Sequence, residues 1–311
     1  MKKLLITIGD PTGIGPFITV KALKELALKK VNLQVIGSRK ILEEIKDYSC
    51  IATRVNLIDI KSKALKYIRR AHPNKYSGSL ALEYLNTAIE ILKKDKNFSL
   101  VTAPLSKEAV KAVKRDFIGH TEYLAQKFSV KNFSMLMVGK RFRILLLTRH
   151  IPLREVSNSI NYKYLYKSLN LLILSLKNLF KLRKIKIALC SLNPHAGIET
   201  FLEKEEKVLI KVKKSLEHKN LKFIGPFPSD TLFRKALKEK YSAIVAFYHD
   251  QGMIPFKTLE FPWGVNLTIG LPFIRTSPAH GPGFDLVNRP YLIDSHPMKE
   301  AIKLALKLSN F

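Results

Sequence analysis

The sequence predicts an α/β protein built on a largely parallel β-sheet. Short apolar runs of strand length alternate along the chain with longer segments whose apolar residues recur every three to four positions. Such alternation is typical of parallel sheets, because a helix usually makes the crossover between two parallel strands. With 311 residues, 46% of them hydrophobic, the chain can form one large α/β unit or two smaller ones, each with a full core.

The predicted strands are the apolar runs, and the predicted helices lie between them. The strands cover 3–8, 33–37, 98–103, 133–138, 143–148, 185–190, 242–248 and 265–269. The clearest helix covers 79–95, where apolar residues recur at every fourth position from Leu80 and Ser79 is the expected N-cap. We expect further helices within 160–180 and 200–218. Polar residues interrupt the apolar run within 160–180, which predicts a buried amphipathic helix rather than a membrane span.

The net charge of +29 raises the question of nucleic-acid binding. The lysines are spread over most predicted helices, and no nucleic-acid-binding motif accompanies them, so solvated helix faces in a lysine-rich chain explain the charge better. We therefore expect no nucleic-acid partner. A nucleic-acid-binding protein that retains an enzyme fold stays the alternative from another functional class, and its support is the charge alone.

The cysteines and the N-terminus indicate a reducing, cytoplasmic setting with no membrane partner. Cys50 and Cys190 cannot form a disulfide framework, and Cys190 lies in an apolar run as a small core residue. The N-terminal apolar run stops at Gly9 and Asp10, which is too short for a signal peptide and fits a first strand.

Three histidines follow predicted strands directly. His150, His195 and His249 each lie just past an apolar run, and parallel strands would bring them to one edge of the sheet. Neutral imidazoles there can bind a divalent cation, with zinc or cobalt favoured over magnesium. The alternative is a structural role at a strand end. After His249 we expect the chain to turn at Gly252 and Pro255.

Further polar residues along the chain suggest an anionic substrate. Lys257, Asn266 and Arg275 follow His249 at intervals of eight or nine residues, and two cations with an amide are suited to a carboxylate or phosphate. His120 and Thr121 begin a helical pattern, where backbone N–H groups favour an anion. The alternative for Thr121 is a simple N-cap.

Two glycine-containing segments are candidates for cofactor binding. Gly13 and Gly15 follow the first strand, but their spacing is not GxGxxG, and a tight strand-to-helix turn explains them equally well. His280 and Gly281 precede Asp285 in a loop that could wrap an adenosine, with the carboxylate on the ribose hydroxyls. A carboxylate in that place disfavours a 2′-phosphate and so favours NAD over NADP.

The ordered motifs of the chain resemble the 4-hydroxythreonine-4-phosphate dehydrogenase (PdxA) family. Between residues 9 and 285 the motifs run in order as GDPTGIGP, TAPLSK, GHTEYLA, NPHAG, GPFPSDTLF, YHDQGMIPFK, VNLTIGLPFIRTSPAHG and a closing FD. The resemblance implies an isocitrate/isopropylmalate-dehydrogenase-like fold of two α/β/α domains. It places residues 1–128 with 272–311 on the cofactor side and residues 129–271 in a metal-binding and dimerisation domain. It also implies a homodimer with a shared active site.

The same resemblance implies an activity and a set of site residues. The activity is NAD(P)-dependent oxidation of 4-phosphooxy-L-threonine at its 4-hydroxyl, with decarboxylation to 3-amino-2-oxopropyl phosphate, in pyridoxal phosphate synthesis. Each active site would hold one divalent metal, Zn, Co or Mg. The metal ligands would be His150, His195 and His249, and the substrate-binding residues His120, Thr121, Lys257, Asn266 and Arg275. Lys257 would stabilise developing negative charge, and Asp250 would either hold a ligand imidazole or carry a proton. A related dehydrogenase of a sugar acid such as erythronate or threonate 4-phosphate is the alternative.

The sequence departs from the family pattern at a few positions. Phe17 replaces a glutamate after GIGP, and Ile198 replaces the acid after NPHAG. Ala279, Pro282 and Gly283 change the loop expected to bind the cofactor. We expect these changes to affect cofactor binding more than the chemistry.

Overall fold

The computed structural model describes residues 1–197 and 204–309 of the chain. Contacts divide the chain into two compact units, one of Met1–Val130 with Leu271–Phe311 and one of Lys131–Gly270. In each unit a mostly parallel sheet is surrounded by helices, which confirms the predicted α/β class.

The first unit contains a five-stranded stretch of parallel sheet. Its strands are β1 (Lys2–Thr7), β2 (Val31–Gly37), β3 (Asn56–Asp59), β4 (Phe98–Thr102) and β11 (Arg275–Pro278). Its helices are α1 (Gly15–Glu25), α2 (Arg39–Glu43), α3 (Ser49–Ala52), α4 (Lys75–Lys94), α5 (Lys107–Lys111), α6 (His120–Lys127) and α12 (His296–Leu308). The strand order is β3-β2-β1-β4-β11, and these neighbours pair in parallel. The carboxyl ends of these strands therefore lie at one edge of the sheet.

The second unit contains a mixed stretch of sheet. Its strands are β5 (Ser134–Val138), β6 (Arg143–Leu146), β7 (Ile185–Cys190), β8 (Leu221–Phe227), β9 (Ala243–Ala246) and β10 (Val265–Ile269). Its helices are α7 (Val156–Ser159), α8 (Tyr162–Asn178), α9 (Lys204–Leu216), α10 (Ser229–Lys238) and α11 (His249–Glu260). The order is β10-β5-β6-β9-β7-β8, with β5 antiparallel to both of its neighbours and the other pairs parallel. The ends of β6, β7 and β9 therefore share an edge.

All eight predicted strands are present, and the described part of the chain contains three further strands that were not predicted. β3 lies at the edge of its sheet and is only partly buried, so its sequence NLID shows no apolar run. β8 ends in a segment that contains Gly225 and Pro226, which are breaker residues in a sequence pattern. β11 is fully buried although its sequence RTSP is mostly polar. Local hydrophobicity therefore could not identify β11.

The predicted helices are present, but the start of α4 was predicted wrongly. The helix begins at Lys75, and its N-cap is Asn74 rather than Ser79. The Asn74 side chain accepts hydrogen bonds from the backbone N–H of Tyr76 (2.9 Å) and Ser77 (3.1 Å), and the Ser77 hydroxyl accepts one from the Asn74 N–H (3.1 Å). This capping box satisfies N–H groups that the helix leaves unpaired.

The core position predicted for Cys190 is confirmed. Cys190 is fully buried in the core, and burial raises the pKa of its thiol to about 12. Within residues 1–197 and 204–309, no helix has both the length and the apolar character that a membrane crossing requires.

Candidate active site

The turn after β1 is held by a buried carboxylate. Asp10 is fully buried, and its Oδ1 accepts hydrogen bonds from the Thr12 backbone N–H (2.9 Å) and the Thr12 hydroxyl (2.6 Å). Burial raises the pKa of Asp10, an effect that the hydrogen bonds from Thr12 partly offset. A Cβ on Gly15 would lie 2.2 Å from the Ile8 carbonyl oxygen, so this turn requires glycine. These contacts confirm the strand-to-helix turn.

The two segments predicted to bind a cofactor lie against each other in the first unit. The Ile14 N–H donates to the Pro282 carbonyl oxygen (2.8 Å), and a Cβ on Gly13 would lie 2.7 Å from that same oxygen. Around Gly281 there is open space, and Asp285 is exposed. An open backbone beside an exposed carboxylate fits the ribose end of a dinucleotide, since a carboxylate can accept hydrogen bonds from ribose hydroxyls.

The structure shows the surroundings of three residues that depart from the family pattern. The carbonyl of Pro282 makes the contact with Ile14, and Gly283 adopts a left-handed conformation with φ of 53°. Phe17 is buried beneath the Arg70 guanidinium, which lies 5.1 Å from the ring centre. Ile198 lies outside the described residues.

A buried guanidinium is the centre of a polar cluster in the first unit. Arg275, at the start of β11, is 2% exposed, and its guanidinium donates to the hydroxyls of Thr102 (2.6 Å) and Thr121 (3.4 Å). Burial lowers the pKa of Arg275 to about 10, and the negative charge of Glu122 partly offsets this effect. The side chain is therefore still a cation at neutral pH. A cation buried among hydroxyl groups is suited to bind an anion.

His120 belongs to the same cluster and carries no charge at neutral pH. It is the first residue of α6, next to Thr121. The residue is half-buried, so its ring has lost part of its hydration. This loss of hydration lowers the pKa of His120 well below its ordinary value, and the charges of Arg275 and Lys107 add to the effect. The structure thus brings together three of the five predicted substrate-binding residues.

Two of the three predicted metal ligands are close neighbours in the second unit. The ring centres of His150 and His249 are 5.9 Å apart. Since Zn–N bonds are about 2.0–2.1 Å long, two ring centres within about 6 Å of each other can share one cation. The His249 Nδ1 lies 2.6 Å from Asp250 Oδ1. A carboxylate on one ring nitrogen fixes the imidazole and directs the other nitrogen toward a metal.

The third predicted ligand lies in a turn with unusual backbone angles. His195 and Ala196 follow β7 with φ of 54° and 57°, a left-handed conformation that costs a residue other than glycine about 1–3 kcal/mol. Within residues 1–197 and 204–309, no group of three histidine, cysteine or acidic side chains has an arrangement that could hold a metal ion. The three-histidine site stays a prediction.

The segment after His249 was predicted wrongly. It does not turn at Gly252 and Pro255, because both residues lie inside helix α11. A Cβ on Gly252 would lie 2.5 Å from the Leu146 side chain, so the glycine allows α11 to pack closely on β6. Lys257 is exposed in the last turn of α11, about 12 Å along the helix from His249 at 1.5 Å per residue.

The last predicted substrate-binding residue has an unsatisfied polar atom. Asn266 lies in β10, and its Oδ1 is buried with no hydrogen-bond partner among the described residues. A buried amide oxygen without a partner is costly, and a bound ligand would satisfy it.

Three further polar residues of the structure, Thr102, Glu206 and Gln251, were given no role by the sequence. Thr102 lies in the motif TAPLSK and Gln251 in the motif YHDQGMIPFK, and no sequence pattern pointed to Glu206.

Comparison with known proteins places this chain among relatives of similar length. A 4-hydroxythreonine-4-phosphate dehydrogenase from Sulfurihydrogenibium sp. is 34% identical, over 99% of this chain and 98% of the relative. A protein from Oceanobacillus iheyensis with the provisional name D-threonate 4-phosphate dehydrogenase is also 34% identical, over 98% and 97%. The crystal structure of 4-hydroxythreonine-4-phosphate dehydrogenase from Klebsiella pneumoniae matches with a TM-score of 0.83 and 29% identity, over the whole of both chains.

The fold and the family are both shown by these matches. Isocitrate dehydrogenase from Methylococcus capsulatus has a TM-score of 0.54 at 11% identity, over 99% of this chain and 85% of that one. This confirms the predicted isocitrate-dehydrogenase-like fold. The family model described as pyridoxal phosphate biosynthetic protein PdxA matches residues 8–305. The chain therefore belongs to the PdxA family.

Proposed function

We propose that the chain is an NAD(P)-dependent dehydrogenase of 4-phosphooxy-L-threonine that acts in vitamin B6 synthesis in the cytoplasm. The observation that carries this proposal is the buried Arg275 with Thr102, Thr121 and the neutral His120, in a chain with a relative that is named 4-hydroxythreonine-4-phosphate dehydrogenase. Such a cluster suits the phosphate or the carboxylate of that substrate.

The chemistry of the substrate corrects one detail of the sequence expectation. The oxygen on C4 carries the phosphate, so the hydroxyl available for oxidation is the one on C3, and not a 4-hydroxyl. Oxidation at C3 gives a β-keto acid, and only that product explains the loss of CO2 to form 3-amino-2-oxopropyl phosphate. The proposed reaction is therefore oxidation at C3 followed by decarboxylation.

Different residues are proposed to bind the substrate, to orient His249 and to stabilise negative charge. When bound, a nicotinamide cofactor accepts the hydride and a divalent cation acts as Lewis acid. Arg275 holds the anionic group of the substrate by charge-assisted hydrogen bonds. Asp250 keeps the His249 ring in one orientation, which favours its holding role over that of a proton carrier. Lys257 is the proposed catalytic cation that stabilises negative charge on the substrate oxygen.

A homodimer with a shared active site is part of the proposal. The segments that carry His150 and His249 expose large apolar side chains, with Leu153 68%, Ile254 66% and Phe261 66% exposed. Exposed apolar side chains in segments that carry site residues support contact with a second copy. Sedimentation of the purified protein should give twice the chain mass, and a monomer at micromolar concentration would contradict this part.

The activity test compares two substrates and one matched pair of variants. NADH or NADPH formation is followed with 4-phosphooxy-L-threonine and with D-threonate 4-phosphate, because one relative carries the second name. Arg275→Lys keeps the positive charge but loses the planar guanidinium, which can donate two parallel hydrogen bonds to one anionic group. We therefore expect kcat/KM to fall about 10- to 200-fold, equivalent to about 1.4–3 kcal/mol. Arg183→Lys, at an exposed site, should change nothing. Equal or greater turnover of the sugar acid would show that it, and not 4-phosphooxy-L-threonine, is the substrate. Unchanged kinetics in Arg275→Lys would show that the Arg275 cluster does not bind the substrate.

The metal is tested separately with His249→Ala. Alanine suits the first turn of α11, so stability should change little. Metal analysis should give about one divalent ion per chain in the wild type and a clear loss in the variant, with turnover lost as well. His72→Ala, at an exposed position, is the control. Unchanged metal content and turnover in His249→Ala would show that this histidine is structural.

A further inference from the structure

The carboxyl ends of β2 and β3 border an open cavity in the first unit. The two strands pair in parallel with Gly37 opposite Asp59, so the residues that follow them meet at one edge of the sheet. The cavity has a volume of about 470 Å³, within the range of about 300–1,000 Å³ that is typical of small-molecule sites. In open parallel sheets, ligands bind beyond the carboxyl ends of the strands. The position and the size of this cavity therefore suit a small ligand, and none of its lining residues belongs to the site described above.

Four lysines line this cavity and make it strongly positive. They are Lys40 on α2, Lys61 after β3, and Lys63 and Lys66 on a short 3-10 helix, where residues three apart lie on the same face. Within residues 1–197 and 204–309, none of the four ammonium groups forms an ion pair or a hydrogen bond. With Asp59 as the one carboxylate among these lining residues, the net charge of the lining is +3. A concave surface with charges of one sign concentrates counter-ions, because the fields of its charges add.

Two serine hydroxyls of the cavity can donate hydrogen bonds to an anion. Ser38 is 1% exposed and is the N-cap residue of α2, but its hydroxyl does not cap the helix. The Arg39 N–H donates instead to the Asp59 carboxylate (2.8 Å), and the Ser38 hydroxyl has no hydrogen bond within the described residues. The Ser62 hydroxyl accepts from the Ala64 N–H (3.3 Å), and its own O–H can still donate. A hydroxyl that has lost its water without gaining a partner is unfavourable, and an oxygen of a bound anion would satisfy Ser38.

We propose that this cavity binds a polyphosphate group, either as an inorganic anion or as part of a nucleotide. A lysine ammonium is a compact cation with three hydrogen-bond donors, and phosphate oxygens accept strong charge-assisted hydrogen bonds from it. A chain of two or more phosphates carries several negative charges close together, which matches four ammonium groups around one cavity. A single carboxylate would leave most of those groups unpaired. The site is independent of the proposed dehydrogenase activity, so either can fail without the other.

The test measures binding of inorganic triphosphate to the full-length protein by isothermal titration calorimetry. An ionic strength of about 0.15 M screens attraction to the basic surface as a whole. Lys61→Gln combined with Lys63→Gln removes two of the four ammonium groups. The matched control combines Lys94→Gln with Lys96→Gln, which removes two exposed lysines at the same spacing elsewhere in the first unit, so both double variants have the same net charge. Ser38→Ala removes the hydroxyl and should leave the free energy of urea unfolding nearly unchanged, because that hydroxyl makes no hydrogen bond within the described residues.

The expected result is saturable binding of triphosphate that depends on the cavity and not on the net charge. The dissociation constant should rise about tenfold or more in the double variant of Lys61 and Lys63, about 2–10-fold in Ser38→Ala, and less than about twofold in the control. If Ser38→Ala is unstable, the double variant decides, because both of its lysines are exposed. Titration with ATP separates the two sources of the phosphate chain. Tighter binding of ATP would identify a nucleotide as the ligand, and equal affinity would show that the phosphate chain alone is recognised.

Three results would overturn the site. Equal weakening in the two double variants would show that binding follows the net charge of the protein. A wild-type protein that binds neither triphosphate nor ATP would show that the cavity is only a solvated group of lysines. Displacement of bound NADH by triphosphate would place the cavity in the cofactor site instead.

Discussion

Acidification should destabilise this protein through His120 more than through an exposed histidine. Burial of the His120 ring, with the positive charges of Arg275 and Lys107 nearby, lowers its pKa in the folded state well below the ordinary value. In the unfolded chain the same imidazole titrates near pH 6.5. Below that pH the unfolded chain takes up a proton that the folded protein does not, and the free energy of unfolding falls.

The size of the effect follows from proton linkage. The contribution of His120 is fully present above the unfolded pKa and is lost as the pH falls through the window between pH 6.5 and the lower folded pKa. Each pH unit inside that window costs about 1.4 kcal/mol. Acidification from about pH 7.5 to about pH 5.5, of which about one unit lies below the unfolded pKa, should therefore cost up to about 1.4 kcal/mol through this residue. The variant His120→Gln lacks the titrating group and should not show this part of the loss.

The assay is urea unfolding of the ligand-free protein across this pH range. Other titrating groups cancel when the pH dependence of the wild type is compared with that of the variant. His72→Gln is the control, because His72 is exposed, and its pH dependence should match that of the wild type. Identical slopes for the wild type and His120→Gln would show that the His120 imidazole is protonated as readily in the folded protein as in the unfolded chain. The electrostatic description of the cluster would then be wrong.

The remaining predictions concern buried polar groups that hold the fold. Glu260 is 1% exposed and accepts hydrogen bonds from the backbone N–H groups of Lys140 (2.8 Å), Arg141 (2.8 Å) and Phe142 (3.2 Å). Glu260→Ala should lower the free energy of urea unfolding by about 3 kcal/mol or more, and a loss below about 1 kcal/mol would mean that water replaces the carboxylate. Asn74→Ala removes the α4 capping box and should lower the free energy of urea unfolding by about 1 kcal/mol. Asn74→Ser, which can still cap the helix, should keep most of that stability. An equal loss in the two variants would exclude capping as the cause.

Local pattern was sufficient for much of this protein. Apolar runs predicted eight strands, and amphipathic periodicity predicted α4 and α8, because a strand or helix buried on one side must repeat its apolar residues with the period of its backbone. Ordered motifs indicated the family, which the comparisons then confirmed. The sequence also singled out His120, Thr121 and Arg275, which the fold brings into one cluster.

Features that depend on partners distant in the chain were decided only by the tertiary structure. β11 is polar in sequence and buried in the sheet, because the hydroxyl groups that pair with Arg275 come from β4 and α6. Gly252 and Pro255 indicate a turn locally, yet α11 runs through both because Gly252 packs against β6. Glu206 resembles any glutamate of a lysine-rich helix until its three hydrogen bonds to the turn after β7 are seen. The physical reason is common to all three cases. Burial and hydrogen bonding are properties of a residue's surroundings in space, and residues far apart in sequence supply those surroundings.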